Sequence, residues 1–265
     1  MLGTHWTEKL FIDYADYTRL ELERGLRKAE TETGALQRIF QLNGVPANAK
    51  VLDLCCGIGR HSLTLAERGY SVTGVDFSPL LINRAEEIAC LRGLDKEVRF
   101  IEGDMRGIHE LLESEERTFD AVINMNTSLG YYTDFDDEEI LRQLERLAKA
   151  GGLLVIDIAN RDFILRNFKS HEVMEIAQGV VKFVTRSLYL DTSRIENIYE
   201  YYEKAGETLQ KRGGVKIDHR LYSLHELIGL VNRSGWRFER VFGGFSLEHF
   251  NMDSSRIILT ARKKP

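Results

Sequence analysis

Short apolar runs bounded by glycine and charged residues recur through the first 160 positions of the chain. The first run, Val51–Leu54, is too short for a helix and leads into a glycine turn. Comparable strand patterns follow at 71–75, 97–102, 119–126 and 153–158. Helix patterns separate them at Arg60–Arg68, Leu80–Arg92 and Glu138–Ala150. This alternation predicts an α/β fold with a doubly wound, mostly parallel sheet, and Gly151-Gly152 is expected to end the third helix.

The rhythm of strand and helix changes after residue 170. Three segments rich in Val, Ile, Tyr, Phe and Thr predict three antiparallel strands joined by short turns: Val180–Leu190, Arg194–Lys204 and Thr208–Tyr222. Ser223 begins a helix, and Trp236–Phe242 and Arg256–Ala261 are expected to form a closing antiparallel pair. We therefore expect an inserted sheet that forms a lid over a pocket; a dimer interface is the alternative use of its faces.

These patterns give a domain organisation. Residues 1–44 are expected to form a helical segment, and the aromatic residues near its start would anchor it on the rest of the chain. A Rossmann-like domain would comprise 45–169 and 223–265, and the antiparallel β lid or substrate subdomain would comprise 170–222.

Composition limits the function classes. The 265 residues are 43% hydrophobic, which is enough for a substantial core, and the net charge of −5 argues against a broad nucleic-acid surface. No signal peptide or membrane-spanning run is recognisable in the sequence. Three cysteines form no disulfide framework or zinc motif, so no metal is expected and a reduced, cytoplasmic setting fits best.

The stretch from Val51 to Asp76 carries the strongest chemical signal. Gly57 and Gly59 allow a tight turn and close backbone approach to a ligand, and Asp76, at the end of the next strand, is placed to hold a ribose. The dinucleotide fingerprint G-x-G-x-x-G is absent, because Ser62 stands where the third glycine would be. A dehydrogenase is therefore disfavoured, since Asp53 would also repel a pyrophosphate.

Asp53, Cys55, Gly57 and Gly59 instead resemble the D/E-x-G-x-G-x-G signature of class I S-adenosylmethionine-dependent methyltransferases, with Cys55 in place of the first glycine. The resemblance covers roughly 45–160 and 223–262. It implies a seven-stranded sheet with the final strand antiparallel, S-adenosylmethionine as cofactor, and direct in-line transfer of the sulfonium methyl group. A sulfonium ligand tolerates a nearby carboxylate, which a pyrophosphate does not.

The resemblance also implies that residues 1–44 cover the cofactor, which is the alternative role of this segment, and it implies roles for individual residues. Asp104 matches the acid that meets the adenine amino group, and Met105 would lie beside the adenine ring. The residues expected to bind the cofactor are Asp53, Cys55, Gly57, Gly59, Asp76, Phe77, Asp104, Met105, Asn124 and Tyr14.

The acceptor side is expected near the loop after the fourth strand. Asn126 and Tyr131 are predicted to contact substrate, because this loop resembles the S-x-G-Y loop of small-molecule methyltransferases. Arg220 is a candidate anchor for a carboxylate or phosphate. If the acceptor needs a general base, the candidates are Tyr131, His219 and His249.

Alternatives remain at this point. A local basic patch would suit RNA or protein methylation; its residues would be Arg161, Arg166, Lys169, Lys211 and Arg212. The motif D/N-P-P-Y, typical of many enzymes that methylate amino groups in nucleic acids and proteins, is missing. A non-catalytic, cofactor-binding regulatory protein is a third reading. We expect a small-molecule acceptor, no nucleic acid or membrane partner, and a monomer or a homodimer through the inserted sheet.

Overall fold

The computed structural model describes residues 5–264, so residues 1–4 of the predicted N-terminal cover, and Pro265, lie outside the described part. The helices are α1 Trp6–Glu8, α2 Ala15–Gly25, α3 Ala29–Leu42, α4 Arg60–Ala66, α5 Pro79–Arg92, α6 Ile108–Leu111, α7 Asp134–Leu147, α8 Arg161–Arg166 and α9 Leu224–Arg233. The strands are β1 Lys50–Leu54, β2 Ser71–Asp76, β3 Val98–Glu102, β4 Phe119–Asn124, β5 Ala148–Ala159, β6 His171–Ala177, β7 Val180–Tyr189, β8 Arg194–Ala205, β9 Thr208–Arg220, β10 Trp236–Phe242 and β11 Arg256–Lys263.

Seven strands form the larger sheet in the order β10-β11-β5-β4-β1-β2-β3. Strands β1 to β5 are parallel, whereas β11 runs antiparallel to both β5 and β10. The central strands β1 and β4 are mostly apolar and, apart from Lys50 and Asp120, buried between helices on the two faces, as is typical of parallel sheets. The predicted α/β class with a seven-stranded, mostly parallel sheet is confirmed. Its order reverses between β1 and β4, where such sheets bind ligands.

Two predicted boundaries around α7 are wrong. The helix begins at Asp134, four residues before the predicted Glu138, because Thr133 accepts a hydrogen bond from the Asp136 amide and Asp136 caps Thr133 in return. It ends at Leu147 rather than at Gly151-Gly152. Both glycines lie inside β5, which begins at Ala148 opposite Phe119.

The smaller sheet is antiparallel and has the order β6-β7-β8-β9. The sequence predicted three of these strands and missed β6. That strand lies at the edge of the sheet and is mostly exposed, so it lacks the alternation of buried and polar positions that marks a half-buried strand.

The N-terminal segment lies between the two sheets. It begins with α1, continues through a π-helical turn at Lys9–Asp13 and then forms α2. Helix α2 and the residue before it bond to all four strands of the smaller sheet: Arg24 to Glu175, Glu21 to Lys182, Tyr17 to Glu203 and Tyr14 to Gly214. Tyr17 also stacks on Tyr201, with ring centroids 4.3 Å apart. The smaller sheet therefore packs on α2 rather than projecting alone. No helix in the described range is long and apolar enough to traverse a bilayer.

Candidate functional site

A cavity of about 470 Å³ opens where the carboxyl ends of β1 and β2 meet the loops after β3 and β4. Its floor and one wall belong to the larger sheet and include Cys55, Gly57, Asp76 and Asp104. The N-terminal segment supplies a second wall, and the smaller sheet supplies a roof. The size lies in the range of pockets for small ligands.

The turn after β1 adopts left-handed backbone conformations at three positions. Gly57 has φ 57° and Gly59 has φ 75°, and a Cβ at Gly59 would lie 2.6 Å from the ring of Phe100. Cys55, which replaces a glycine, has φ 63°. A non-glycine residue in the left-handed region is strained, so the shape of this turn requires a strained backbone at Cys55. The Cys55 side chain reaches the cavity and its Sγ lies 3.4 Å from Met105 Sδ.

Asp76 connects the glycine turn to the end of β2. Its carboxylate accepts hydrogen bonds from the Gly57 amide at 2.8 Å and from the Ser78 amide at 3.0 Å. Burial raises the pKa of Asp76 to about 6, although these amides favour the ionised form. Each carboxylate oxygen keeps a further lone pair that could accept a bond from a ligand hydroxyl.

Asp53 lies beneath the turn and does not reach the cavity wall. Its carboxylate accepts a 2.6 Å hydrogen bond from the hydroxyl of Ser62, the residue at the position of the missing third glycine. The serine thus supports the buried acid, and burial raises the pKa of Asp53. Asp53 therefore supports the turn from below.

The loop after β3 places Asp104 and Met105 on the cavity wall. Asp104 accepts hydrogen bonds from the amide of Arg106 at 2.9 Å and from its guanidinium at 3.0 Å. Partial burial acts to raise the pKa of Asp104, but the bonds from Arg106 outweigh it and lower the pKa. The guanidinium of Arg106 also lies over the ring of Tyr132, 4.4 Å from its centroid.

The loop after β4 is held in place by an ion pair on β5 and β11. Asn126 and Thr127 have φ 60° and 66°, respectively. The amide of Asn126 donates to Asp157 at 3.0 Å, and Asp157 in turn pairs with Arg256 at 2.6 Å. Asn126 and Thr127 line the cavity, whereas Asn124 turns away and donates to the Leu54 carbonyl oxygen.

Tyr131 lies at the centre of an aromatic group from three regions of the chain. Its ring packs edge-on against Trp6 and His219, with centroids 5.0 and 5.2 Å away, and tilts against Phe11. Burial raises the pKa of Tyr131 above its usual value, so the hydroxyl stays protonated at neutral pH. In this form the Tyr131 hydroxyl can donate a hydrogen bond to a ligand.

His219 faces the cavity from β9. Its Nε2 lies 3.0 Å from the carbonyl oxygen of Leu129, so Nε2 carries the proton and Nδ1 is the acceptor nitrogen. Burial lowers the pKa of His219 to about 4. The imidazole is neutral at pH 7 and is a weak proton acceptor.

Several predicted residues lie away from the cavity lining. The structure brings Cys55, Gly57, Asp76, Phe77, Asp104, Met105, Asn126, Tyr131 and His219 to it, and leaves Asp53, Gly59, Asn124, Tyr14, Arg220 and His249 outside it. Arg220 is bound by Asp134 at 3.0 Å and by Glu226 at 2.7 Å. His249 pairs through its backbone with Phe242, and the Tyr14 hydroxyl accepts a bond from the Gly214 amide.

The cavity also has lining residues that the sequence reading did not select. From the N-terminal segment come Trp6, Thr7, Leu10, Phe11, Thr18, Glu21, Leu22, Gly25 and Lys28. From the smaller sheet come Lys182, Tyr199 and Ile217. No local motif marks these positions, because the two segments that meet here are more than 150 residues apart in the sequence. The alternation of side chains along β8 does place Tyr199 and Tyr201 on one face of the sheet. This alternation is the one sequence feature that indicates an aromatic face there.

Comparison with known proteins agrees with this geometry. Residues 51–152 match the family model described as a methyltransferase domain. The chain is 26% identical over 227 residues to a putative methyltransferase, YqeM, of Bacillus subtilis, covering 83% of this chain and 86% of that protein. Human glycine N-methyltransferase is 34% identical over 129 residues, which cover 44% of this chain and 42% of that protein.

Two further similarities bear on acceptor and fold. The tRNA 5-carboxymethoxyuridine methyltransferase of Escherichia coli is 26% identical over 188 residues, or 69% of each chain. The structure of an S-adenosylmethionine-dependent methyltransferase from Clostridium acetobutylicum superposes with a TM-score of 0.76 at 15% identity, covering 89% of this chain and 92% of that one. At that identity the likeness supports the fold alone.

Proposed function

We propose that this chain is a class I S-adenosylmethionine-dependent methyltransferase that transfers the methyl group to a small molecule held in the covered cavity. The observation that supports this proposal is that the N-terminal segment and the smaller sheet both cover the cavity. Trp6 and Phe11 pack on Tyr131 from one side, and Tyr199 and His219 line the same cavity from the other. A folded polynucleotide would have to displace both layers to reach the floor.

The residues of the cavity floor fit S-adenosylmethionine. We propose that Asp76 holds the ribose hydroxyls and that Asp104 accepts from the adenine amino group, with Phe77 and Met105 against the ring. Cys55 and Gly57 form the turn beneath the amino-acid part. Two carboxylates facing the cavity suit a cationic sulfonium ligand better than a pyrophosphate.

When bound, S-adenosylmethionine supplies an electrophilic methyl group that a nucleophile displaces from sulfur. Tyr131 and Asn126 are proposed to orient the acceptor, and the aromatic group of Trp6, Phe11 and Tyr131 excludes water. Alignment of the acceptor supplies much of the rate in such a displacement. With Tyr131 protonated and His219 weakly basic, the acceptor best suited to this site is already nucleophilic at neutral pH.

The proposed function also assigns a role to each segment of the chain. Residues 1–44 are proposed as the cover, 45–169 with 223–265 as the methyltransferase domain, and 170–222 as the substrate lid.

Methylation of RNA receives less support from the charges. Four of the five cations in the candidate basic patch are paired with acids: Arg161 with Asp162, Arg166 with Asp253, Lys211 with Glu200 and Arg212 with Glu203. Paired cations release few counterions on meeting phosphates, so they contribute little to RNA affinity.

The test is to give the purified protein S-adenosylmethionine labelled in its methyl group, together with either total tRNA or a protein-free extract of low-mass metabolites. We expect label in low-mass products, separated by chromatography. Label that precipitates with RNA and declines as salt is raised would overturn the small-molecule proposal. Calorimetry with S-adenosylhomocysteine serves as the control that the cofactor site is intact.

A further inference from the structure

One buried cation in the cavity has no role in holding the cofactor-side residues described above. Lys182 projects from the inner face of β7, its side chain is only 4% exposed, and it lines the cavity roof. Its ammonium lies 4.3 Å from the centroid of Tyr199, in a cation–π arrangement. Burying an ammonium is costly unless it is paired, so its place in the roof requires an explanation.

Glu21 of α2 is the partner of Lys182 and is itself 30% exposed. An ammonium carries three donors, and among residues 5–264 Glu21 is the one acceptor bonded to it. The remaining donors belong to a group that lines the cavity. Arg60, another cation of the lining, is by contrast committed to the buried Glu32 at 2.9 Å.

Attachment of α2 to the smaller sheet does not require this ion pair. Arg24 donates to the Glu175 carbonyl oxygen at 2.8 Å, Tyr17 donates to Glu203 at 3.0 Å, and Tyr14 accepts from Gly214 at 3.0 Å. Three further contacts therefore fix the same helix to the other three strands. In addition, an ion pair that only attached α2 to β7 would not need the Lys182 ammonium to line the cavity.

We infer that Lys182 is a specificity-determining residue that binds an anionic group of the acceptor, so that the acceptor is a small molecule carrying a carboxylate. Glu21 holds the ammonium in the free enzyme and gives up part of that interaction when the acceptor enters. The ring of Tyr199 keeps the ammonium in position during the exchange. This inference rests on the proposed small-molecule function and names its substrate class.

The test uses the full chain saturated with S-adenosylhomocysteine and calorimetric titration with matched pairs of probes: glycine against glycinamide, phenylacetate against phenylacetamide, and anthranilate against anthranilamide. We expect at least one carboxylate to bind about tenfold or more tightly than its amide, the effect of a charge-assisted hydrogen bond. Lys182→Met should remove that preference, and Lys182→Arg should keep most of it. The affinity for S-adenosylhomocysteine should stay the same in both.

Glu21→Gln separates the two explanations of the ion pair. If Lys182 binds the acceptor, Glu21→Gln removes the competing carboxylate and should tighten binding of the carboxylate probe. If the ion pair is only structural, Glu21→Gln and Lys182→Met should both weaken binding and lower the melting temperature to a similar extent. Equal affinities for acids and amides in the wild type, or an unchanged preference in Lys182→Met, would overturn the inference. Methylation confined to low-mass, uncharged acceptors would sink the carboxylate inference alone, whereas transfer to RNA would sink the proposed function.

Discussion

The two halves of the cavity are built in different ways. The proposed cofactor side consists of strand ends and the turns that directly follow them, so Cys55, Asp76 and Asp104 reach it through local chain geometry. The proposed acceptor side consists of side chains from the N-terminal segment, the loop after β4 and the smaller sheet, which meet only in the folded chain. A shared cofactor frame can thus stay constant while the roof changes its chemistry.

The largest effect is expected where the two halves join. Gly130 has φ 102°, and a Cβ there would lie 2.6 Å from the Arg220 carbonyl oxygen and 3.0 Å from His219. Gly130→Ala should therefore lower the free energy of unfolding by about 3 kcal/mol, from backbone strain and overpacking together.

Gly151→Ala is the matched control, since its φ is 70° but nothing lies within 4 Å of the new Cβ. Its cost should be about 1 kcal/mol, the left-handed conformation alone. Chemical denaturation measures both. Equal losses would mean that the loop after β4 does not fit tightly against β9.

Asp76 tests the cofactor half by itself. Asp76→Ala should weaken binding of S-adenosylhomocysteine by about 1–3 kcal/mol, the usual cost of losing hydrogen bonds to a charged group. Calorimetry measures the affinity, and Asp53→Asn is the comparison that tests whether the acid beneath the turn acts mainly on stability. An affinity unchanged in Asp76→Ala would remove this residue from the ribose role.

The pH dependence of Asp76 has two opposite signs. Its pKa of about 6 lies above the usual 3.8, so the native state binds the proton more tightly than the unfolded chain does. The contribution of Asp76 to the free energy of unfolding should therefore grow as the pH falls from 7 to 5. Affinity for S-adenosylhomocysteine should fall over the same interval, because the ionised acid is the better acceptor for hydroxyl groups. The Asp76→Asn variant should lose both pH trends. The measurement is the free energy of unfolding and the affinity of each protein at pH 5 and pH 7, with the wild type as the reference.

Tyr131 tests the acceptor half. Tyr131→Phe keeps the ring contacts with Trp6 and Phe11 but removes the donor, so kcat/KM for the acceptor should fall by about tenfold while cofactor affinity is retained. Steady-state kinetics on the acceptor found by the labelling experiment provides the measurement. A loss of cofactor affinity instead would place Tyr131 on the other side of the cavity.

The smallest effect is expected at Cys55. Because its φ is 63°, Cys55→Gly should relieve strain, partly offset by the greater freedom of glycine in the unfolded chain, and raise the free energy of unfolding by about 0.5 kcal/mol. Cys56→Gly, at a buried neighbour without that backbone conformation, should destabilise the protein. Thermal denaturation of the two variants distinguishes backbone strain from side-chain packing. If both variants are destabilised, the packing of the Cys55 side chain stabilises the protein by more than the strain of its backbone destabilises it.

The same division explains what the sequence could predict. The parallel sheet and the placement of Asp76 and Asp104 at strand ends follow from short-range patterns, because parallel strands bring their carboxyl ends to one edge. The exposed strand β6 carries too weak a pattern to be predicted. The capping pair of Thr133 and Asp136 is a local signal in the sequence, and it begins α7 four residues before the predicted Glu138. The Lys182–Glu21 pair joins positions 161 residues apart, which no local pattern encodes.

The bonding of α2 and the preceding Tyr14 to every strand of the smaller sheet has a consequence for engineering the enzyme. Acceptor recognition cannot be grafted by exchanging residues 170–222 alone, since the transplanted strands would meet a foreign helix at Tyr14, Tyr17, Glu21 and Arg24. A chimera that keeps its specificity must carry both segments from the same parent. If the proposed acceptor side selects the substrate, the module that does so is discontinuous in sequence although it is continuous in space.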